Sequence, residues 1–249
     1  MANKAERPEL IVNGRRLDGR MPNELRPIRI ESSVLHNAEG SAYLEWGNNK
    51  VLAAVFGPKE AMPKHVQDPT KAIIKCKYSM APFSSMGEHG RSGPNRRAIE
   101  ISKVTREAFE NVVLLNDYPG SEIDIFIEIL QSDGGTRAAG ITAAAVALAN
   151  AGIRMKDLIY AVSFGKVGDQ LILDLNMLED NYSDCDMPTA IAPRNGDVVL
   201  LQMDGNLTKE EMSRGLKMIK DAGQTISALQ RDALREVYKK TSTKYENGV

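Results

Sequence analysis

Histidine and cysteine are scarce in this sequence, and long apolar runs are missing. Three histidines, His36, His65 and His89, are scattered through 249 residues. None stands in an H-E-x-x-H or similar spacing, so hydrolysis by an imidazole-held metal is disfavoured. The two cysteines, Cys76 and Cys185, lie far apart and form no C-x-x-C pair. A disulfide framework or zinc site is not expected, and buried free thiols are the plain reading. No apolar run approaches the ~18 residues that cross a bilayer, so no membrane association is expected. Met1 to Arg20 is polar and charged. It lacks the apolar centre of a signal peptide, which makes the cytoplasm the default compartment. There is no G-x-x-x-x-G-K-S/T loop and no G-x-S-x-G elbow, which sets aside P-loop NTPases and α/β-hydrolases. The net charge is −1, so the chain as a whole is not a basic nucleic-acid binder. Any affinity for nucleic acid must come from local charge, and Arg91, Arg96, Arg97, Lys103 and Arg106 fall within sixteen residues. Charge alone does not separate that cluster from a solvated helix face.

What is present suits a folded domain. Hydrophobic residues make up 42% of the chain and charged residues 26%. The length fits one large domain or two halves sharing a core. Residues 1–24 read as a polar arm with turn signals at Asn13-Gly14 and Asp18-Gly19. Strand-like runs follow at Leu25–Glu31, Ser41–Trp46, Lys50–Phe56 and Ile73–Met80. Arg96–Leu115 has helical spacing, and Ile123–Ile129 alternates as a strand with one isoleucine face. An alanine-rich helix is predicted over Ala138–Ala151. Hairpins are expected around Gly168-Asp169 and Asn195-Gly196. A last helix starts at Thr208, with Glu211 completing a capping box, and the tail from 241 to 249 is expected to fray. Hairpins and strand–helix units together predict an α+β (mixed α/β) fold with mixed sheets. The expected division is an arm at 1–24, a first half at 25–158, a second half at 159–240 and a tail.

Three segments could carry chemistry. Asp133-Gly134-Gly135-Thr136-Arg137 links a strand to a helix. Glycines permit close backbone approach, helix amides favour an anion, and Arg137 adds planar donors. That chemistry fits phosphate, although a tight turn with an exposed arginine would have the same composition. Asn95-Arg96-Arg97 opens the other long helix. Cations oppose the dipole at a helix start, which hints that a bound anion completes it. In Glu179-Asp180-Asn181-Tyr182-Ser183-Asp184-Cys185-Asp186, four carboxylates fall within eight residues. Such clustering is relieved by a divalent cation or by a raised pKa, or it is a solvated acidic loop.

In order along the chain, these segments resemble the RNase PH family. Leu25-Arg26-Pro27-Ile28, Gly40-Ser41-Ala42-Tyr43 and Asn49-Lys50-Val51 look like its opening strands. Arg96-Arg97 with Glu100-Ile101-Ser102-Lys103 resembles its arginine helix. Ser132–Arg137 resembles its phosphate loop, and Asp180 with Asp186-Met187-Pro188 its acidic pair. Gly57-Pro58-Lys59-Glu60 and Met80–Ser84 look like the active ring subunit of the archaeal exosome. Arg97, Arg137, Asp180 and Asp186 are all kept, whereas the family's inactive ring subunits lack part of that set. The loop 87–94 has no trusted counterpart, so no role is given to His89 or Arg91.

The resemblance implies a fold like domain 2 of ribosomal protein S5, in two halves. It implies a phosphorolytic 3′→5′ exoribonuclease with inorganic phosphate as co-substrate and Mg²⁺ or Mn²⁺ as the metal. Phosphate would be held by Gly134, Gly135, Thr136 and Arg137, and RNA by Arg96 and Arg97. Asp180 and Asp186 would be catalytic and would hold the metal, with their roles not separable by sequence. The implied assembly is a hexameric ring of three active and three inactive paralogous subunits, topped by RNA-binding cap proteins. Single-stranded RNA would thread its channel past Lys64 and His65. A homohexameric enzyme trimming tRNA 3′ ends and a catalytically silent RNA-binding ring scaffold remain the alternatives.

Overall fold

Alternating apolar residues and turn-forming pairs set the element order, which a computed structural model describes for residues 8–85 and 95–246, with side chains up to 239. The loop 87–94 lies outside the described residues. The strands are β1 (Ile11–Val12), β2 (Arg15–Arg16), β3 (Ile28–Ser32), β4 (Gly40–Trp46), β5 (Asn49–Glu60), β6 (Ile73–Met80), β7 (Ser121–Gln131), β8 (Tyr160–Val167), β9 (Gln170–Leu173), β10 (Cys185–Ala192), β11 (Asp197–Leu201) and β12 (Asp204–Gly205). The helices are α1 (Arg96–Val112), α2 (Thr136–Asn150), α3 (Met177–Tyr182) and α4 (Lys209–Glu246).

One sheet runs β3-β4-β5-β7-β6, and the other runs β11-β10-β8-β9 with β12 paired to β10. β6 runs parallel to β7 and the remaining pairs are antiparallel. The first sheet is therefore mixed, while the second is wholly antiparallel, so the expectation of mixed sheets holds for the first alone. α2 lies between them, packing on β4, β5 and β7 of the first and on β8 and β10 of the second. That position explains its composition. Residues 138 to 148 of the helix are all buried, a pattern that only a helix covered on every side can carry. α1 packs on β6 and reaches β11, while α4 lies along β8, β9 and the β3 edge.

The isoleucine face of β7 points into this core: Ile123, Ile125, Ile127 and Ile129 are all buried. Ile127 faces α2, with its Cγ2 3.0 Å from where a Cβ on Gly140 would sit. Cutting Ile127 to alanine is expected to lower unfolding free energy by about 2–5 kcal/mol. The denaturant midpoint should fall with an unchanged slope. A loss below about 1 kcal/mol would mean that this contact does not hold the layers together.

Three segments depart from the sequence reading. The described part of the arm is a β1–β2 hairpin tied to the body, because Arg16 is 2% exposed and bonded to Glu179. α4 begins with the expected Thr208–Glu211 capping box. It then continues to Glu246, where a frayed tail is expected from 241; residues 247–249 lie outside the described part. The acidic stretch after β9 is not a loop. It holds α3, capped reciprocally by Asn176 and Glu179, and the start of β10.

Candidate active site

A cavity of about 540 Å³ opens where the two sheets' loops meet. Arg97 and Glu100 come from the first turns of α1, and Arg137 from the first turn of α2. Asp180 comes from α3, Asp186 from β10, and Gln202 and Asp204 from the segment that closes β12 onto β10. The register sets Asp186 directly opposite Asp204. The chain thus converges these two cations and four carboxylates from five separate segments.

The helix starts differ in how they are finished. α1 is capped, since the Asn95 side chain accepts from Ala98 N at 2.7 Å. Its two arginines therefore need no anion to complete the helix end. Arg96 and Arg97 are both exposed, and only Arg97 lines the cavity. α2 begins at Gly135 with no side-chain cap, so its first amides stay available to an anion. Both loop glycines adopt positive φ, 68° at Gly134 and 67° at Gly135. At Gly134 a Cβ would stand 2.5 Å from the Asn176 carbonyl carbon. The glycine there is demanded by packing against the start of α3, not by ligand approach alone. Thr136 is 4% exposed and its hydroxyl accepts from Tyr78 Oη at 2.9 Å. Gly134, Gly135, Thr136, Arg96, Lys64 and His65 do not line the cavity. Lys64 and His65 sit together on an exposed 3-10 turn, Lys64–Val66.

Arg137 is aimed by its neighbours. Its Nη1 donates to Gln202 Oε1, and Gln202 Nε2 donates to Glu100 Oε1 at 2.7 Å. Its buried Nε has no hydrogen-bond partner among the described residues. Gln202, Glu100 and Asp204 were not predicted from sequence. Glu100 shares a helix face with Arg97, three positions on, and could have been found. Gln202 is brought in by the β10–β11 hairpin, its N–H donating to the Pro188 carbonyl at 3.1 Å, and Asp204 by the β12–β10 pairing, which has no local signal.

The acidic stretch divides by burial. Glu179 turns inward to Arg16, and Asp184 accepts from Gly168 N at 2.8 Å. Asp180 and Asp186 are the pair aimed at the basic side. Burial raises the Asp180 pKa, with Arg97 and Arg137 opposing the shift. Burial, then the Asp180 charge, push Asp186 up to about 7 against the pull of Arg137 and Arg97. A carboxyl protonated near neutrality can give a proton away. The same shift affects stability. Below the ordinary carboxyl value of 3.8 the proton is bound in both states; between there and about 7 only the folded state keeps it. Stability from this group is therefore lost as pH rises through about 7. Asp186→Asn should melt higher than the parent at pH 8 in chelator, with the gap closing toward pH 5. An equal gap at both values would refute the burial-driven shift.

The donors also fit a divalent cation. Asp186 Oδ1 is buried with no partner among the described residues, and Asp180 faces the same cavity. Among the described residues no three His, Cys, Asp or Glu side chains form a metal cluster. Two carboxylates suffice for Mg²⁺, which keeps waters and takes phosphate oxygens. Among the described residues no helix is long and apolar enough to cross a membrane.

With two arginines facing two perturbed carboxylates, the site is built for phosphoryl chemistry, and the sequence comparisons agree. Residues 24–154 match the model for domain 1 of the 3′ exoribonuclease family, and residues 157–221 match its domain 2. The chain belongs to this family: it is a 3′ exoribonuclease of the RNase PH type, with the RNase PH fold. Its relatives include exosome components. The Rrp41 component of Thermococcus kodakarensis is 53% identical over 234 residues, 94% of each chain. That of Thermoplasma acidophilum is 52% identical over 224 residues, 90% of each chain. Among solved structures, rice Rrp46 superposes with a TM-score of 0.77 at 27% identity, covering 88% of this chain and all of that one. A chain of the Archaeoglobus fulgidus exosome with RNA bound to the active site shares the fold, with a TM-score of 0.74 at 24% identity.

Proposed function

We propose that this protein is the catalytic ring subunit of an exosome and shortens single-stranded RNA from its 3′ end by phosphorolysis. The observation that carries the reading is the meeting of Arg97, Arg137, Asp180 and Asp186 around one cavity, in a chain about half identical to Rrp41 exosome components. Arg137, with Thr136 and the amides of Gly134 and Gly135, holds inorganic phosphate at the uncapped start of α2. Arg97, with Arg96 beside it, holds the RNA backbone. A phosphate oxygen attacks the phosphorus of the last phosphodiester in line. The bond to the 3′ oxygen breaks, and Asp186 gives that oxygen its proton. The products are a nucleoside 5′-diphosphate and RNA one nucleotide shorter. Asp180 keeps Asp186 protonated by its nearby charge. Alternatively, with both carboxyls ionised, Asp180 and Asp186 would hold Mg²⁺ or Mn²⁺, which would supply the equivalent charge neutralisation in place of that proton. Such a site works by positioning and charge stabilisation, so it reads backbone rather than bases.

The ring alternates three of these subunits with three inactive paralogues under RNA-binding cap proteins, and it works in the cytoplasm. Lys64 and His65, exposed on their turn, supply positive charge along the RNA path. The test is a product assay on 5′-labelled single-stranded RNA, with and without phosphate and with and without the paralogue. Shortening that needs phosphate and the paralogue is expected. Full activity alone would indicate a homohexameric tRNA-trimming enzyme, and no shortening in any mixture a silent scaffold.

A further inference from the structure

Arg26 precedes β3, 6% exposed and outside the cavity. All three nitrogens of its guanidinium are engaged. Nε donates to both carboxylate oxygens of Asp174 at 3.1 Å, and Nη2 donates to Asp174 Oδ1 at 2.6 Å. The outer nitrogens also grip the loop before α2: Nη1 donates to the carbonyl of Asp133, and Nη2 to the carbonyl of Gly134 at 3.3 Å. Asn49 adds a second donor to the Gly134 carbonyl at 2.7 Å. Four of its five N–H groups are taken up by Asp174 and the two carbonyls, so its part is to hold the loop.

Asp174 is the anchor behind it. Its carboxylate also accepts from the Arg26 backbone N–H at 2.7 Å and from Trp46 Nε1 at 2.9 Å. It adopts φ 58°, a left-handed backbone that residues with a Cβ seldom take. Burial opposes the charge of Arg26, yet Asp174, with Asp133 and Glu179 behind it, raises its pKa above the ordinary guanidinium value.

The consequence lies in the peptide planes. In a trans peptide the carbonyl and the following N–H point in opposite directions. Holding the Asp133 carbonyl toward Arg26 turns the Gly134 N–H away from it. Holding the Gly134 carbonyl turns the Gly135 N–H the same way. Two successive amides aimed to one side, at positive φ, make an anion cradle leading into the start of α2.

We propose that Arg26, clamped by Asp174, is a positioning residue for phosphate: it sets the peptide planes of residues 133–135 so that their amides face the anion. This deepens the proposal that the loop before α2 binds phosphate, and rests on it. Lysine at 26 keeps the charge opposite Asp174 but cannot hold both carbonyls. In the assembled enzyme, Arg26→Lys is expected to raise the KM for phosphate about tenfold, since small misplacements of binding groups have effects of this size or more. RNA affinity and kcat at saturating phosphate should stay within about twofold. Arg16→Lys is the control, because Arg16 joins the same buried cluster through Glu179 and the Asp174 carbonyl without touching the loop. It should lower the melting temperature comparably and leave the phosphate KM unchanged. Asn49→Ser, which removes one donor from the Gly134 carbonyl, tests the same idea if Arg26→Lys does not fold, with a smaller rise in the same direction. An unchanged phosphate KM in the folded variants, or an equal rise in Arg16→Lys, would overturn the proposal. Wild-type enzyme that ignores phosphate would instead overturn the phosphate reading beneath it.

Discussion

Asp186→Asn is expected to cut turnover by about a thousandfold, within the range that general acid catalysis and preorganised charge supply. Asparagine matches the shape of the carboxyl, so the β10–β12 pairing and the cavity wall should persist. It cannot release a proton to the departing 3′ oxygen, and it offers a cation no negative charge. The parent carboxyl titrates at about 7, which suits a donor working near neutrality. RNA affinity should remain within a few-fold, because Arg96 and Arg97 are untouched. Single-turnover kinetics with labelled RNA, alongside binding measured without phosphate, separate the two effects. A variant that shortens RNA at the parent rate would remove Asp186 from the reaction.

Arg137→Glu should be at least as severe. Arg137 is the cation at the start of α2, and its Nε is buried without a partner among the described residues. A glutamate there would face Glu100 and Gln202 across the cavity and repel phosphate. Loss of one well-placed donor costs about 10²–10³ in rate, and charge reversal adds to that. Stability should change little, because Arg137 is 18% exposed and meets polar partners rather than the core. Raising phosphate to molar levels should not restore the parent rate. Wild-type turnover in this variant would place the phosphate elsewhere.

The parts of this site that were legible are those with local signals. The loop at 133–137 announces itself by its glycines and by the apolar helix that follows. The isoleucine alternation of β7 marks a core strand because its period is short. The division of labour between Arg96 and Arg97 was not legible, since neighbouring helical residues point about 100° apart and only packing decides which faces the cavity. α3 was hidden because six residues are too few to show a helical period. Glu179 therefore read as one more acid of a loop, although it is turned into the protein to meet Arg16. Arg26 drew notice only as part of a family-like run. Its partners Asp133 and Asp174 are 107 and 148 positions away, and no window along the chain joins them. Asp204 was missed for the same reason, because β12 reaches Asp186 through a pairing that no local pattern marks.

The most direct test of the central claim follows the phosphate itself. The assembled ring would be given single-stranded RNA and inorganic phosphate labelled at phosphorus, and the released nucleotides separated. If phosphate attacks at this site, the label appears in the β-phosphate of nucleoside diphosphates, one per residue removed, and Arg137→Glu abolishes it. Unlabelled monophosphates released at the same rate would show that water is the nucleophile and contradict the account.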